Sequence, residues 1–334
     1  MKLRTHLRAA VDPVWGGLRA VREGYIPQPW SAEGARWPLR LGLGARRLTV
    51  ETAAGTARYV EVGSGPPVVL LHGLDGSSRW WAPTLEALAS QFRCLALEFV
   101  PFDHWRERAR VPLPRAGEFV AAWLAALGIA RADLIGHSMG AYAACQVAIE
   151  RPALVGRLAL IAPAIVPLPG ATVLDLARFV PFIGSVTPGF APILLADSLR
   201  TGPLRWLRST LELTQAPPLP LERIAAPTLL LWGEHDPLVP VEDGEIVRAR
   251  IPNARLVVLP KSRHVPMFEA PVACNAALAD FLADEQSPAS SPHTPSGPTP
   301  GPVASPGVPY PDDEWETIPP LLLRGGGAAR RRRG

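Results

Sequence analysis

The chain has 334 residues, of which 48% are hydrophobic and 19% are charged. This composition excludes a chain that is disordered throughout, because it provides enough apolar side chains for one large core or two small ones. The net charge is +4, but residues 45–285 carry 22 basic and 23 acidic side chains, so the positive excess lies at the two ends. A nearly neutral central region does not favour a nucleic-acid partner.

The first 44 residues show no sustained helical or strand period, and we expect them to form an N-terminal extension. They contain no apolar run as long as that of a secretion signal, because Asp12, Pro13 and Arg19 interrupt the apolar residues. No stretch of the sequence approaches about 18 uninterrupted apolar residues, the length that crosses a membrane. The sequence therefore predicts a cytoplasmic protein without a transmembrane segment.

The first predicted element is a β-hairpin over residues 46–65 that turns at Ala54 and Gly55. Short apolar runs then alternate with longer helical patterns. The predicted strands span residues 68–72, 93–99, 132–136, 157–163, 227–233 and 254–260. The predicted helices span residues 80–90, 116–128, 139–152 and 270–285. Because such strands form parallel sheets with helices on both faces, we predict an α/β fold with a mostly parallel central sheet.

One connection is much longer than an ordinary crossover. Residues 164–224 contain several short apolar helical pieces separated by Pro and Gly, which we interpret as a helical cap inserted into a domain over residues 45–285. Residues 286–334 are dominated by Pro, Ser, Thr and Gly and are expected to form a disordered or extended tail. Its terminal arginines, Arg330–Arg333, are expected to be solvated; the alternative is a weak, salt-sensitive contact with an anionic partner.

The sequence GHSMG, residues 136–140, lies directly between a predicted strand and a predicted helix. The chain turns sharply there, and Gly136 and Gly140 relieve the crowding that such a turn creates. Ser138 is then at the apex with its hydroxyl accessible, which is the arrangement of an activated serine nucleophile. The alternative is a structural serine in a tight turn.

A nucleophilic serine needs a base, and the base needs a carboxylate that orients it. Asp236 and His264 each follow a predicted strand, so both are expected at the same edge of the sheet as Ser138. Asp236 can instead cap a turn, in which case Glu234 or Asp243 is the substitute acid. His264 can instead be a loop histidine that faces solvent.

Together these motifs resemble those of the α/β-hydrolase superfamily, in its serine hydrolase and esterase type with a helical cap. The resemblance covers residues 45–285, begins with His72 and Gly73, and continues with the three candidate residues in the order Ser, Asp, His. It implies that the backbone N–H groups of Leu74 and Met139 form an oxyanion hole. It also implies that the reaction requires no metal or organic cofactor.

The sequence also leads to expectations for three residues near these motifs. We expect His72 to brace the oxyanion loop and His137 to point away from the neighbouring serine. Glu98 stands where many relatives have an aspartate followed by a glycine-rich loop, so the shape of the pocket wall there does not follow from the resemblance.

The candidate substrate contacts are aromatic. Trp80 and Trp81 follow the oxyanion loop, and Phe182, Phe190 and Trp206 lie in the expected cap. These side chains can line an apolar substrate chamber, or they can pack the cap and the following helix against the body of the domain.

We therefore predict a serine hydrolase that cleaves a small-molecule, moderately apolar carboxylic ester through an acyl-enzyme on Ser138. The same three residues support carbon–carbon bond hydrolysis or haloperoxidase-type perhydrolysis, so both stay open as alternatives. Epoxide hydrolases and haloalkane dehalogenases of this superfamily have an aspartate in place of the serine. A non-catalytic binding protein that retains the fold is a third alternative, although such proteins normally lack one of the three residues. The substrate and the oligomeric state stay open.

Overall fold

The computed structural model describes residues 44–99, 111–166, 182–184, 186–187, 189–284 and 308–309. The expected N-terminal extension and nearly all of the expected tail therefore lie outside the described residues. The same is true of residues 167–181 at the start of the expected cap.

The strands of the described chain form a single sheet. They are β1 (Arg46–Thr52), β2 (Gly55–Val62), β3 (Pro67–Leu71), β4 (Arg93–Glu98), β5 (Ala132–His137), β6 (Val155–Ile161), β7 (Thr228–Gly233), β8 (Ala254–Leu259) and β9 (Val308–Pro309). Their order across the sheet is β8-β7-β6-β5-β3-β4-β2-β1-β9. All pairs from β8 to β4 are parallel, whereas β2, β1 and β9 are added in antiparallel orientation. The predicted α/β fold with a mostly parallel sheet is confirmed, as is the hairpin of β1 and β2.

The helices of the described residues cover both faces of this sheet. They are α1 (Ala82–Leu88), α2 (Ala116–Ala126), α3 (Met139–Glu150), α4 (Ala191–Thr201), α5 (Pro203–Thr214), α6 (Glu242–Arg250), α7 (Pro266–Glu269) and α8 (Pro271–Ala283). Apolar side chains of α2, α3 and α6 share one core cluster with one face of the sheet. Those of α1, α4, α7 and α8 share a second cluster with the other face. Helix α4, which lies in the range of the expected cap, is therefore on the same side of the sheet as α1, α7 and α8.

The central strands are largely apolar because both of their faces are covered. In β3, Val69 and Leu71 belong to one core cluster, while Val68 and Leu70 belong to the other, and all four are fully buried. This alternation follows from the two-residue period of a strand.

Strand β8 is only partly buried, although a sheet with helices on both faces was predicted. This strand is at the edge of the sheet, and Val258 keeps 42% of its surface exposed. Helix α6 was also not predicted from the sequence. Its residues, EDGEIVRAR, are mostly charged, and only Gly244 and Val247 are buried, so they give almost no apolar period.

Candidate active site

Ser138 occupies a strained turn between β5 and α3. Its backbone dihedral angles are φ 51° and ψ −114°, a conformation that non-glycine residues rarely adopt. The Ser138 N–H donates to the carbonyl oxygen of Ile161 on the adjacent strand β6, at 2.9 Å. The turn therefore fixes the serine at the carboxyl edge of the sheet, and its side chain faces a cavity.

The glycines of this turn permit a close approach of backbone to backbone. A Cβ atom on Gly136 would lie 2.6 Å from the Cα atom of Ala141, and one on Gly140 would lie 2.1 Å from the carbonyl oxygen of Leu71. Both distances are far below van der Waals contact. The predicted role of these two glycines agrees with the geometry.

Replacing Gly140 by alanine is expected to lower the free energy of unfolding by about 3 kcal/mol, because neither backbone carbonyl beside it can move without disturbing β3. Urea denaturation monitored by circular dichroism measures this difference. Gly184→Ala is the matched control, since no atom lies within 4 Å of the position of its Cβ. Equal midpoints for Gly140→Ala and the parent protein would contradict the close approach.

His264 and Asp236 form a buried hydrogen-bonded pair. The His264 Nδ1 atom lies 2.7 Å from Asp236 Oδ2, and both residues are nearly inaccessible to solvent. The other carboxylate oxygen, Oδ1, accepts the backbone N–H groups of Leu238 at 2.8 Å and Val239 at 2.9 Å. Asp236 therefore caps a turn with one oxygen and orients the histidine with the other. Because an ionised carboxylate only accepts hydrogen bonds, Nδ1 carries the proton and Nε2 keeps its lone pair.

The loops that carry these two residues touch through a glycine. A Cβ atom on Gly233, the last residue of β7, would lie 1.9 Å from the carbonyl oxygen of Arg263. The His235 N–H also donates to the carbonyl oxygen of Ser262 at 3.0 Å. The absence of a side chain at position 233 thus lets the acid and the base approach each other.

His137 supports the backbone of His264. Its Nε2–H donates to the His264 carbonyl oxygen at 2.7 Å, and the two imidazole rings lie 4.9 Å apart. Burial, together with the neighbouring His264, holds the pKa of His137 well below its usual range, so it is neutral at pH 7. The sequence did not indicate this contact, because it joins residues 127 positions apart.

The loop after β3 passes directly against Ser138. A Cβ atom on Gly73 would lie 3.2 Å from the Cβ atom of Ser138. His72 braces this loop as expected: its Nδ1–H donates to the Gly73 carbonyl oxygen at 2.8 Å, and its Nε2 accepts the N–H of Phe99 at 3.1 Å. Burial lowers the pKa of His72 to about 4, so the ring is neutral in this role. Leu74, the residue after Gly73, lines the cavity beside the serine.

Glu98 also supports this loop. One of its carboxylate oxygens accepts the N–H of Ser78 at 2.9 Å, and the other lies 3.9 Å from His72 Nε2. The residue that departs from the pattern of many relatives is therefore a structural partner of the segment that follows Leu74.

A cavity of about 490 Å³ is lined by Ser138, by His264 and by residues of the expected cap. Phe182 and Trp206 line it, and the Phe182 ring meets the His264 ring edge-on at 5.7 Å. Trp80 lines the cavity, whereas Trp81 is fully buried in the core and does not. The two tryptophans are neighbours in a 3₁₀ turn, so their side chains point about 120° apart.

Phe190 lies behind the cavity wall. It is 1% exposed and packs between Trp80 and Phe268; its ring centroid lies 4.9 Å from that of Trp80 and 5.0 Å from that of Phe268.

Met139 does not line the cavity with its side chain. Its N–H belongs to the first turn of α3, where backbone N–H groups have no intrahelical partner and the helix dipole favours negative charge.

Two acidic side chains near the site were not predicted from the sequence. Glu269 accepts the N–H of Arg263 at 2.5 Å, and removal from water raises the pKa of its carboxyl to about 7. Asp197, on helix α4, is fully buried against the segment that follows Leu74. Both contacts depend on the tertiary fold, and no local motif marks either residue.

Within the ranges that the structure describes, no group of three or more His, Cys, Asp and Glu side chains could hold a metal ion. In the same ranges, no helix has the length and apolar character needed to span a bilayer. The cytoplasmic location stays a prediction.

Comparison with known proteins places this site in context. The sequence is 28% identical over 265 residues to a putative carbamate hydrolase RutD of Caulobacter sp. (strain K31), covering 68% of this chain and 96% of the relative. It is 27% identical over 259 residues to a 2-hydroxy-6-oxo-6-phenylhexa-2,4-dienoate hydrolase of Burkholderia cepacia, covering 67% and 90%. A crystal structure described as a membrane phospholipase A and bacterial virulence factor superposes with a TM-score of 0.63 at 25% identity, covering 84% and 98%.

A family model supports the same conclusion over most of the domain. The model described as the alpha/beta hydrolase family matches residues 68–277. This range begins in β3, the strand that precedes His72, and includes Ser138, Asp236 and His264. The chain is a hydrolase and belongs to the alpha/beta hydrolase family.

Proposed function

We propose that this hydrolase cleaves a moderately apolar carboxylic ester through an acyl-enzyme on Ser138. The observation that carries the proposal is that Ser138 and His264 line one largely apolar cavity, while His264 is hydrogen-bonded to Asp236. The buried neutral imidazoles of His72 and His137 have their pKa values lowered, and both are engaged in backbone contacts. His264 is therefore the histidine best suited to act as the base.

The proposed reaction has two halves. His264 Nε2 takes the proton of the Ser138 hydroxyl while Oγ bonds to the acyl carbon, and the carbonyl oxygen becomes an oxyanion. The N–H groups of Leu74 and Met139 donate to that oxyanion, each contributing roughly 3 kcal/mol to transition-state stabilisation. The imidazolium then protonates the departing alkoxide as its bond to carbon breaks. In the second half, a water loses a proton to His264, attacks the acyl carbon and releases the acid, and Ser138 regains its proton.

The charge of the cavity favours an uncharged substrate. Among the described residues that line it, none is Lys or Arg, whereas Asp75 and Asp243 are acidic. Among these described lining residues, a substrate carboxylate would meet no compensating cation and would lie near like charges. This argues against the carboxylate-bearing dienoate named for the Burkholderia cepacia relative, while an uncharged diketone stays open as a carbon–carbon hydrolase substrate.

The experiment that tests this proposal is a chain-length series of p-nitrophenyl esters. We expect kcat/KM to rise from the acetate to the hexanoate by at least about tenfold, because each added CH₂ that is buried contributes up to about 0.8 kcal/mol. The Ser138→Ala variant is the control for background hydrolysis, and a parallel panel of carbamate esters and uncharged diketones tests the alternatives.

Three results would count against the ester proposal. A flat or falling series would contradict an apolar acyl chamber. Faster turnover of diketones or carbamates than of any ester would reassign the reaction. Tight ligand binding without turnover would favour a binding protein that retains the fold.

A further inference from the structure

Helix α4 places a buried carboxylate, that of Asp197, against the segment between the oxyanion loop and α1. Asp197 Oδ2 accepts the hydroxyl of Ser77 at 2.8 Å and the indole Nε1–H of Trp80 at 2.9 Å. Asp197 is fully buried, and Ser77 and Trp80 are each 2% exposed. These contacts join residues that are 117 to 120 positions apart in the sequence.

A second contact from the next residue of α4 reinforces the first. The hydroxyl of Ser198 donates to Asp75 Oδ2 at 2.5 Å. Asp75 directly follows Leu74 and has a positive φ of 59°, so its backbone is in the left-handed region. Residues 197 and 198 therefore hold both ends of the segment 75–80, which begins next to the proposed oxyanion donor.

The charges around Asp197 explain how a carboxyl is accommodated in the core. Its other oxygen, Oδ1, lies 3.4 Å from Arg79 Nη2 and 3.7 Å from Arg200 Nη1. Burial raises the pKa of Asp197 to about 7, with Glu98 also raising it and Arg79 lowering it. An isolated buried carboxylate is costly, and here two hydrogen bonds and two guanidinium groups offset that cost.

The contact at Trp80 extends to the proposed base. The Trp80 ring lies 5.6 Å from the ring of His137, which in turn donates to the backbone of His264. Fixing the indole N–H thus constrains the side chain that packs beside His137. The Asp197 carboxylate is linked in this way to the oxyanion loop and, through Trp80 and His137, to His264.

We propose that Asp197 is a positioning residue that makes the cap part of the catalytic apparatus, by holding the segment 75–80 so that the Leu74 N–H faces the substrate carbonyl. The inference rests on the proposed esterase function. Asp197 is not among the residues that line the cavity, and it acts through Ser77 and Trp80. Removing its carboxylate should misplace the oxyanion donor more than it weakens substrate binding.

The test compares Asp197→Ala, Asp197→Asn and a matched control with p-nitrophenyl hexanoate. We expect Asp197→Ala to lower kcat by about 10- to 100-fold with KM changed less than about threefold, because small misplacements of catalytic groups have effects of this size. Asp197→Asn should recover most of kcat, since its amide oxygen can accept from Ser77 and Trp80. The control is Asp133→Ala, which removes a partly buried aspartate paired with Arg157 near the amino end of β5, away from the site, and its kcat should equal that of the parent.

A second readout separates positioning from loss of stability. A trifluoromethyl ketone forms a tetrahedral adduct on Ser138 whose oxyanion uses the same donors, so its Ki should rise by the same factor as kcat/KM falls. If Asp197→Ala does not fold, Trp80→Phe and Ser77→Ala each remove one donor alone and should lower kcat in the same direction. Unchanged kcat and Ki in these variants would overturn the inference. Turnover that persists in Ser138→Ala would instead overturn the proposed function.

Discussion

Replacing Ser138 by alanine is expected to lower kcat for p-nitrophenyl hexanoate by at least about 10⁴-fold, to the level that binding and the oxyanion hole alone provide. The substitution removes only the hydroxyl at the apex of the turn after β5, so the fold and the cavity should be retained. Stopped-flow or steady-state release of p-nitrophenol measures the effect, and circular dichroism confirms the fold.

Cys145→Ala is the matched control for this prediction. Cys145 is the potential nucleophile on α3 itself, but it is fully buried and burial raises the pKa of its thiol. Its removal should leave kcat unchanged. Substantial activity in Ser138→Ala, or loss of activity in Cys145→Ala with the fold intact, would contradict the assigned nucleophile.

Replacing Asp236 by asparagine is expected to lower kcat by about 10⁴-fold through the tautomer of His264. Two backbone N–H groups, of Leu238 and Val239, point at Oδ1 and will select the amide oxygen for that position. The amide NH₂ must then face His264 Nδ1, which becomes an acceptor. The proton moves to Nε2, and the histidine can no longer accept the proton of Ser138.

Glu234 and Asp243, which the sequence offers as alternatives to Asp236, provide the controls. Glu234 accepts the backbone N–H of Lys261 and is about half exposed, so Glu234→Gln should retain kcat. Asp243 lines the cavity, whereas the hydrogen bond to His264 Nδ1 comes from Asp236, so Asp243→Asn is expected to change substrate preference more than kcat. Retained activity in Asp236→Asn together with its loss in Asp243→Asn would reassign the acid.

Several elements of the fold could be predicted because local physics specifies them. The strands β3 to β7 contain short apolar runs, and the strained turn at Ser138 is marked by Gly136 and Gly140 on either side. Helix α6 could not be predicted, because a charged surface helix carries almost no apolar period. The exposure of β8 could not be predicted either, since it depends on which strand is at the sheet edge.

The candidate site likewise contains some residues whose positions the sequence predicts and others whose positions it does not. Asp236 and His264 follow strands that end at one edge of the sheet, so their proximity follows from topology. The choice between Trp80 and Trp81 as a cavity residue depends on the orientation of a 3₁₀ turn, which the composition of that segment does not specify. Asp197 meets Ser77 and Trp80 across more than 110 residues, and only the folded chain brings them together.

Labelling with a fluorophosphonate, followed by peptide mapping, tests the central claim most directly. The reagent phosphonylates an activated serine, with fluoride leaving, and tandem mass spectrometry identifies the modified residue. The account predicts one adduct per chain, on the peptide that contains Ser138, with esterase activity lost in proportion to labelling. Full activity in protein that carries this adduct, or inactivation with the adduct on another residue, would contradict it.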